Sequence, residues 1–246
     1  MLVNSMIFLY FLSSSYENYA KFSLLMLTGR RSWCCAEEGS LLLFALEQII
    51  PRLRSAEFAS FRSKLTPHIE QMFFCLYEYP TTKRPKGKAM QEHNVPHVDL
   101  TFESAQLLLD FYRPDELPEF DSYRVGSITA DAEALIKKII GLAPEEYNPQ
   151  KTLENLRLYV EGKLDKMPTM EHTPLPTGLR NINYLLADYY FKNNELPKAV
   201  KYYMLDLCHN PSRLDAWAGM ALARGSQLET QMNSCCAINE TDFIKR

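Results

Sequence analysis

The sequence has few of the patterns on which catalysis depends. It contains no GxSxG, P-loop, HExxH or glycine-rich nucleotide-binding motif, and only 9 of its 246 residues are glycine. Such motifs position nucleophiles, zinc ligands or phosphate-binding backbone, and nothing else here holds candidate groups together. His68 with Glu70, or Glu119 with Asp121, are close in sequence but unconstrained. The sequence therefore predicts a protein that is not an enzyme and needs no cofactor.

Cysteine usage gives no sign of a metal or redox site. The six cysteines are two adjacent pairs, at 34–35 and 235–236, together with Cys75 and Cys208, and none belongs to a CxxC pattern. None of the five histidines lies at zinc-ligand spacing beside a cysteine pair. This usage is typical of free thiols in a reducing compartment and predicts no structural zinc.

The chain also lacks a basic charge excess. Lys and Arg together number 27 against 30 for Asp and Glu, which leaves a net charge of −3. A protein that binds nucleic acid over its whole surface needs a positive field, so direct nucleic-acid binding is not expected. A local basic cluster in the proline-rich loop 80–97 is either a nuclear-import or phosphate-contact patch or an ordinary solvated loop. It consists of Lys83, Arg84, Lys86 and Lys88.

Long apolar runs are absent as well. The run from Met6 to Leu12 is far shorter than the roughly 20 residues that a membrane span needs, and Glu17 and Lys21 interrupt the stretch after it. The first residues carry no basic group of the kind that begins a secretion signal. We therefore expect neither a membrane helix nor a signal peptide, and residues 1–36 stay unassigned.

Strand signals are nearly absent, whereas apolar residues recur at steps of three and four. The sequence predicts an all-α fold. Helices are predicted over residues 37–50, 55–79, 99–114, 127–142 and 149–162.

Prolines and capping residues set the expected ends of these helices. Pro51 should end the first helix, and Ser55 should cap the second. Pro67 either opens a second segment there or bends a single helix. Ser127 or Thr129 should cap the helix that follows residue 126. In the helix over 99–114, the side chains expected to face inward are Leu107, Leu108 and Phe111.

Residues 183–224 repeat with a period of 34, which is the tetratricopeptide period. Shifted by that period, Asn183 falls on Trp217 and Leu186 on Met220. Asn183 departs from the usual aromatic opener, and Asp206 stands where a small residue is usual. The positions that match the repeat are Leu186, Ala187, Tyr190, Ala199, Tyr203, Pro211, Trp217 and Ala221.

The spacing predicts two antiparallel helices of an α-solenoid. Small residues at Ala187, Ala199 and Ala221 should let the helices approach closely. Asn193 and Asn194 should form the turn between them, with Pro197 in the first turn of the second helix. Five segments result: 1–36 unassigned, 37–162 degenerate helical repeats, 163–180 a proline-rich linker, 181–226 one repeat with the start of another, and 227–246 an unassigned tail.

Three stretches occur in order that resemble the calcineurin-binding protein cabin family, the animal branch of the histone transcription regulators. They are "IPRLRSAEFASFRSKLTPHIEQMFFCLYEYP", "LPEFDSY" and "YLLADYYFKNNELPKAVKYYMLDLCHNPSRLDAWAGMALAR". The resemblance covers about residues 37–226 of what is in that family a much longer protein. Residues 1–36 and 227–246 lie outside it.

The resemblance implies a non-enzymatic scaffold subunit of the nuclear HIRA histone chaperone complex. That complex assembles nucleosomes independently of replication and influences transcription. The implied partners are the other subunits of the complex and, through them, histones. The family's calcineurin-binding segment lies outside the resembling stretch, so calcineurin binding is not expected here.

A repeat of this kind binds partners through the surface of its first helix. The candidates on that helix are Asn183, Asp188 and Lys192 with the aromatics Tyr189 and Tyr190. Alternatively, Tyr190 belongs to the core and the three polar side chains are simply solvated. The alternative function is a generic cytosolic tetratricopeptide adaptor that binds peptides.

Overall fold

The computed structural model describes residues 38–82, 92, 96, 98–119, 128–169, 175–176 and 179–244, except for the side chains of 57 and 235–244. Within these ranges the chain forms eight α-helices with short 3-10 segments and no strand. The all-α prediction is confirmed. None of the helices described is long and apolar enough to cross a membrane.

The chain divides into two compact units, which meet in sequence between Phe111 and Tyr112. The first contains α1 (Ser40–Leu53), α2 (Ala59–Tyr77) and nearly all of α3 (Phe102–Tyr112). The second contains α4 (Ala130–Leu142), α5 (Gln150–Val160), α6 (Ile182–Lys192), α7 (Leu196–His209) and α8 (Leu214–Ile244).

Two prolines lie inside the helices of the first unit. Pro51 was predicted to end α1, but the helix continues to Leu53, so that prediction is wrong. Pro67 lies within one continuous α2 and does not open a separate segment. Each proline is exposed, and the carbonyl that loses its donor belongs to an exposed residue four positions earlier, Glu47 or Ser63. A carbonyl at an exposed position is open to hydration, so loss of one backbone donor does not end the helix there.

The start of α2 lacks the cap that was predicted for it. Ser55 precedes a short 3-10 turn, Ala56–Phe58, and its side chain makes no capping hydrogen bond. Its hydroxyl is buried without a hydrogen-bond partner. The chain becomes helical after Ser55 as predicted, but first as a 3-10 turn, so α2 itself begins at Ala59 and the predicted capping hydrogen bond is absent.

The start of the third helix is capped by contacts that were not predicted from the sequence. Thr101 and Ser104 cap it reciprocally: each backbone N–H donates to the other's hydroxyl oxygen, at 3.0 and 3.3 Å. The predicted inward set is partly wrong, because Leu107 and Phe111 are only half-buried. The residues that are buried on α3 are Ser104, Ala105, Leu108 and Leu109.

In the second unit, α6 packs against α7 and α7 packs against α8, while α4 contacts α6 and α5 contacts α7. Thr129 caps α4 as predicted, since its side chain accepts a hydrogen bond from the Ala132 N–H at 3.2 Å. The other candidate cap, Ser127, lies outside the described residues. The linker predicted over 163–180 falls inside this unit.

The α6–α7 turn is formed as predicted. α6 ends at Lys192, Asn194 takes a left-handed φ of 60°, and Pro197 lies in the first turn of α7. Pro211 follows the end of α7 at His209. One period after this turn, at residues 227–228, α8 continues without interruption. The second predicted repeat therefore has a first helix but no turn, and the predicted tail is helical to Ile244.

Candidate partner-binding surface

Five repeat positions are buried where α6 packs on α7. Each is at most 1% exposed, so small and large side chains lie together in one buried interface: Leu186, Ala187, Tyr190, Ala199 and Tyr203. The alanines leave room for the tyrosine rings, and the Tyr184 and Tyr203 ring centroids are 6.1 Å apart. Burial of side chains this large supplies most of the free energy that holds the helix pair together.

The remaining repeat positions lie at the junction of α7 with α8. The half-buried Trp217 indole N–H donates to the Pro211 carbonyl at 2.9 Å, which fixes the entry of α8. Ala221, which was expected between helices, is exposed. The small residue that permits the close approach is Gly219, where an added Cβ would lie 2.5 Å from the Tyr203 ring. The small residue at this contact is therefore Gly219 and not Ala221, because Ala221 lies on the side of α8 that faces away from α7.

Asp188, one of the candidate groove residues, is not on the surface. Only 1% of it is exposed, and Lys192 Nζ lies 2.9 Å from its carboxylate oxygen Oδ2. Asn183 and Tyr189 are half-buried. Because the Asp188 carboxylate is enclosed and paired one helical turn away, it stabilises α6 and is unavailable for contact with a partner.

A second buried carboxylate joins three helices. The Asp206 side chain on α7 accepts hydrogen bonds from Asn210 Nδ2 at 3.1 Å and from Arg213 Nη1 at 3.2 Å. Arg213 Nη2 also donates to Asn181 Oδ1 at 2.6 Å, and its guanidinium lies 4.9 Å from the Tyr184 ring centroid. This cluster, which we call the polar junction, ties the start of α6 to the start of α8.

The polar junction has an electrostatic cost. Burial raises the pKa of Asp206 to about 6, although Arg213 and Asn210 act in the opposite direction. The charged carboxylate loses more hydration than its two partners return. The sequence pointed to this residue only as a departure from the small residue that the repeat usually carries.

Beside the helix pair, aromatic and charged side chains from α4, α6 and α7 form one cluster. The Tyr190 hydroxyl donates to Glu133, and Lys137 Nζ lies 2.5 Å from the same carboxylate oxygen. The Tyr190 and Tyr202 rings stack at 5.5 Å with an interplanar angle of 17°. Lys198 Nζ covers the Tyr190 ring at 5.0 Å. The cluster thus seals the edge of the α6–α7 interface.

Charges in this cluster reinforce one another. Burial raises the pKa of Glu133, but hydrogen bonds from Lys137 and Tyr190 outweigh it and lower the pKa overall. Burial, with the hydrogen bond to Glu133, raises the pKa of Tyr190 to about 12. Both groups therefore hold fixed protonation states near neutral pH, with the carboxylate charged and the phenol neutral.

The outer part of this cluster is accessible. We call it the tyrosine–lysine surface and define it by the half-buried Tyr189 and Tyr202 and the exposed Lys137, Lys198 and Lys201. Lys201 Nζ lies 5.8 Å from the Tyr202 ring centroid. Rigid aromatic rings bordered by lysines bind acidic or aromatic segments of other proteins through apolar contact and charge attraction.

The other predicted features find no counterpart at this surface. The basic cluster Lys83, Arg84, Lys86 and Lys88 lies outside the described residues. In the part of the chain that the structure describes, no group of three or more His, Cys, Asp or Glu side chains is placed to hold a metal ion. The two cysteines described in full, Cys75 and Cys208, are both buried, and neither is part of a disulfide.

Comparisons with known proteins do not extend these observations. No protein-family model matches the chain. No solved structure gives a significant match.

Proposed function

We propose that the chain is a non-enzymatic scaffold built from tetratricopeptide-like helical repeats. The observation that carries the proposal is the α6–α7 interface, in which the predicted repeat positions Leu186, Ala187, Tyr190, Ala199 and Tyr203 are all buried. The turn at Asn194 and the packing of α8 on α7 also support it. Such repeats serve as binding surfaces and carry no chemistry of their own.

Within this proposal, the scaffold belongs to a nuclear histone chaperone complex of the HIRA type, which assembles nucleosomes independently of replication and regulates transcription. The support is the resemblance of residues 37–226 to the histone transcription regulator family. Its first motif forms the end of α1 and all of α2, and its third forms α6, α7 and the start of α8. Calcineurin binding is not part of the proposal.

The tyrosine–lysine surface is the proposed contact with another subunit. Lys137 and Lys198 are ion-paired with Glu133 and Glu195, and Lys201 leaves one positive charge in excess. That excess favours an acidic protein segment over basic histone tails, so histones are reached through the other subunits. Its two half-buried tyrosines supply apolar area that stays fixed on stacked helices. No small-molecule substrate, membrane or direct nucleic-acid contact is needed for this role.

The test is affinity purification of the tagged chain from nuclear extract, with bound proteins identified by mass spectrometry. Wild type is expected to recover subunits of the histone chaperone complex. The double variant Lys198→Glu/Lys201→Glu, which reverses the surface charge, should lose them. The matched control is Lys166→Glu, an exposed lysine of the same unit outside this surface.

Two outcomes contradict the proposal. If wild type recovers no subunit of the chaperone complex from nuclear extract but binds proteins from cytosolic extract, the adaptor function replaces the chaperone role. If the double variant and the control both retain the chaperone subunits, the tyrosine–lysine surface is not the contact. Circular dichroism of each variant shows whether the helices stay folded, so that loss of binding is not confused with loss of structure.

A further inference from the structure

The last helix leaves the body of the second unit. Four residues of α8 are buried on the side that faces α7: Ala216, Gly219, Met220 and Ala223. From Arg224 to Ser234, where the described side chains end, no residue is buried. The helix continues to Ile244. Isolated helices are marginally stable in water, so a projecting helix needs a partner for its apolar residues.

On the opposite side of α8 the exposed apolar residues follow a heptad. Steps of four and three residues separate six successive small or apolar positions: Leu214, Ala218, Ala221, Gly225, Leu228 and Met232. The three largest are 78%, 46% and 66% exposed. Alternating steps of four and three define the a and d positions of a coiled coil. None of these positions is buried: five are exposed, and Ala218 is half-buried.

The register determines which side chains flank this stripe. With Ala218, Gly225 and Met232 at a positions, Arg224 is at g, and Glu229 is at the following e position. In a parallel two-stranded coiled coil, a g residue of one helix lies opposite the e residue five positions later in the other. Arg224 of one copy therefore meets Glu229 of a second copy, and the pair occurs twice by symmetry.

An antiparallel arrangement lacks this complementarity. There the g positions of the two helices face each other, and so do the e positions. Arg224 would then face a g residue such as the uncharged Gln231, and Glu229 would face an e residue such as the apolar Leu222. The charges at the edges of the stripe therefore favour parallel pairing with α8 of a second copy.

We propose that α8 is a dimerisation helix, which pairs in parallel with α8 of a second copy through the stripe Leu214, Ala218, Ala221, Gly225, Leu228 and Met232. Leu222, which is 47% exposed at an e position, adds apolar area at the edge. The dimer would present two copies of the tyrosine–lysine surface, but it forms whether or not that surface binds a subunit.

The first test is the mass of the full-length chain by sedimentation equilibrium over a wide range of concentration. Wild type is expected to be in a monomer–dimer equilibrium. Leu228→Glu places two like charges within the stripe and should weaken association more than tenfold. Thr230→Glu adds the same charge two residues later, off the stripe, and should leave the dissociation constant within about twofold of wild type.

A charge-reversal cycle tests the direction of pairing. Arg224→Glu and Glu229→Arg each place like charges opposite one another and should each weaken the dimer by about fivefold to tenfold. The combined variant restores opposite charges and should return to near the wild-type constant. Because the two positions are five residues apart on one helix, this rescue requires a second chain.

Three results would overturn the inference. Wild type could remain monomeric at every concentration, or Leu228→Glu could dimerise as well as Thr230→Glu does. The combined reversal could also associate no better than either single variant, which would exclude parallel pairing. Failure of the chaperone purification with an intact dimer would refute the proposed function alone.

Discussion

At the scale of single residues, two of the three buried carboxylates described in the second unit are almost fully enclosed. Asp188 and Asp206 are each 1% exposed, within an interface made otherwise of apolar and aromatic side chains. Asp188 is paired with Lys192 on its own helix, whereas Asp206 connects to Arg213 across the α7–α8 junction. The first pairing is local, and the second fixes how one helix follows another. The two acids therefore differ in what their removal should do.

Asp206 should make stability depend on pH. Burial raises its pKa from 3.8 to about 6, so between these pH values the folded chain holds a proton that the unfolded chain has released. Stability is therefore greatest below about pH 4 for this group and falls as pH rises to about 6, by up to about 3 kcal/mol. Asp206→Asn should remove that slope, measured by urea unfolding across the range.

The matched control is Glu145→Gln, at an exposed carboxyl of the same unit. It should keep the wild-type slope. An Asp206→Asn curve parallel to wild type over this range would show that the carboxylate is already ionised in the folded protein and that Arg213 outweighs burial.

The Tyr190 hydroxyl should contribute measurably to stability. It donates to Glu133 at the edge of the α6–α7 interface, and Tyr190→Phe removes that donor while keeping the stacked ring. We expect a loss of about 1.5–3 kcal/mol, as is usual for a hydrogen bond to a charged acceptor. Thermal unfolding should show it, and Tyr189→Phe should change stability by less than about 0.5 kcal/mol. Equal effects of the two changes would contradict this role.

At the scale of helices, the repeat could be predicted from the sequence, whereas the effect of a proline on its helix could not. The repeat positions from Leu186 to Tyr203 were predictable because a period of 34 residues places the same side chains in the same interface. Pro51 was misjudged because a proline usually ends a helix, whereas Pro67 fits the single-helix alternative. Both prolines lie at exposed positions, and exposure on a helix depends on neighbours that one sequence does not reveal.

The candidate surface was less predictable than the fold. Asp188 was expected at the surface because a carboxylate rarely lies in a core, and its burial depends on pairing with Lys192. The cluster around Glu133 and Tyr190 joins residues 57 positions apart, so no local pattern could indicate it. The extension of α8 was missed because polar residues predominate after residue 226, as in a tail, although Leu228 and Met232 continue the helical spacing.

Two glycines of α8 should respond oppositely to the same substitution. Gly219→Ala places a Cβ 2.5 Å from the Tyr203 ring, so the helices must move apart and stability should fall by about 1–3 kcal/mol. Gly225→Ala meets nothing within 4 Å and should raise stability by about 0.5–1 kcal/mol through helix propensity. Chemical denaturation of both variants measures the difference, and a gain from Gly219→Ala would contradict the close packing of α7 on α8.

At the scale of the whole molecule, the chain carries two compact units, and the proposed binding features belong to the second. Its helices carry the tyrosine–lysine surface on α4, α6 and α7 and the heptad stripe on α8. A scaffold of this kind gains function from the proteins it holds together, because a dimer doubles each weak contact with a complex. The second unit thus combines a proposed binding surface with a separate proposed means of self-association.

The central claim is that this chain binds subunits of a nuclear histone chaperone complex through its repeat helices. Cross-linking mass spectrometry of the complex, purified from nuclei with the tagged full-length chain, tests this most directly. We expect cross-links that join Lys198 and Lys201 to a subunit of that complex. If chaperone subunits are absent, or are cross-linked only to lysines far from α6 and α7, the claim is contradicted.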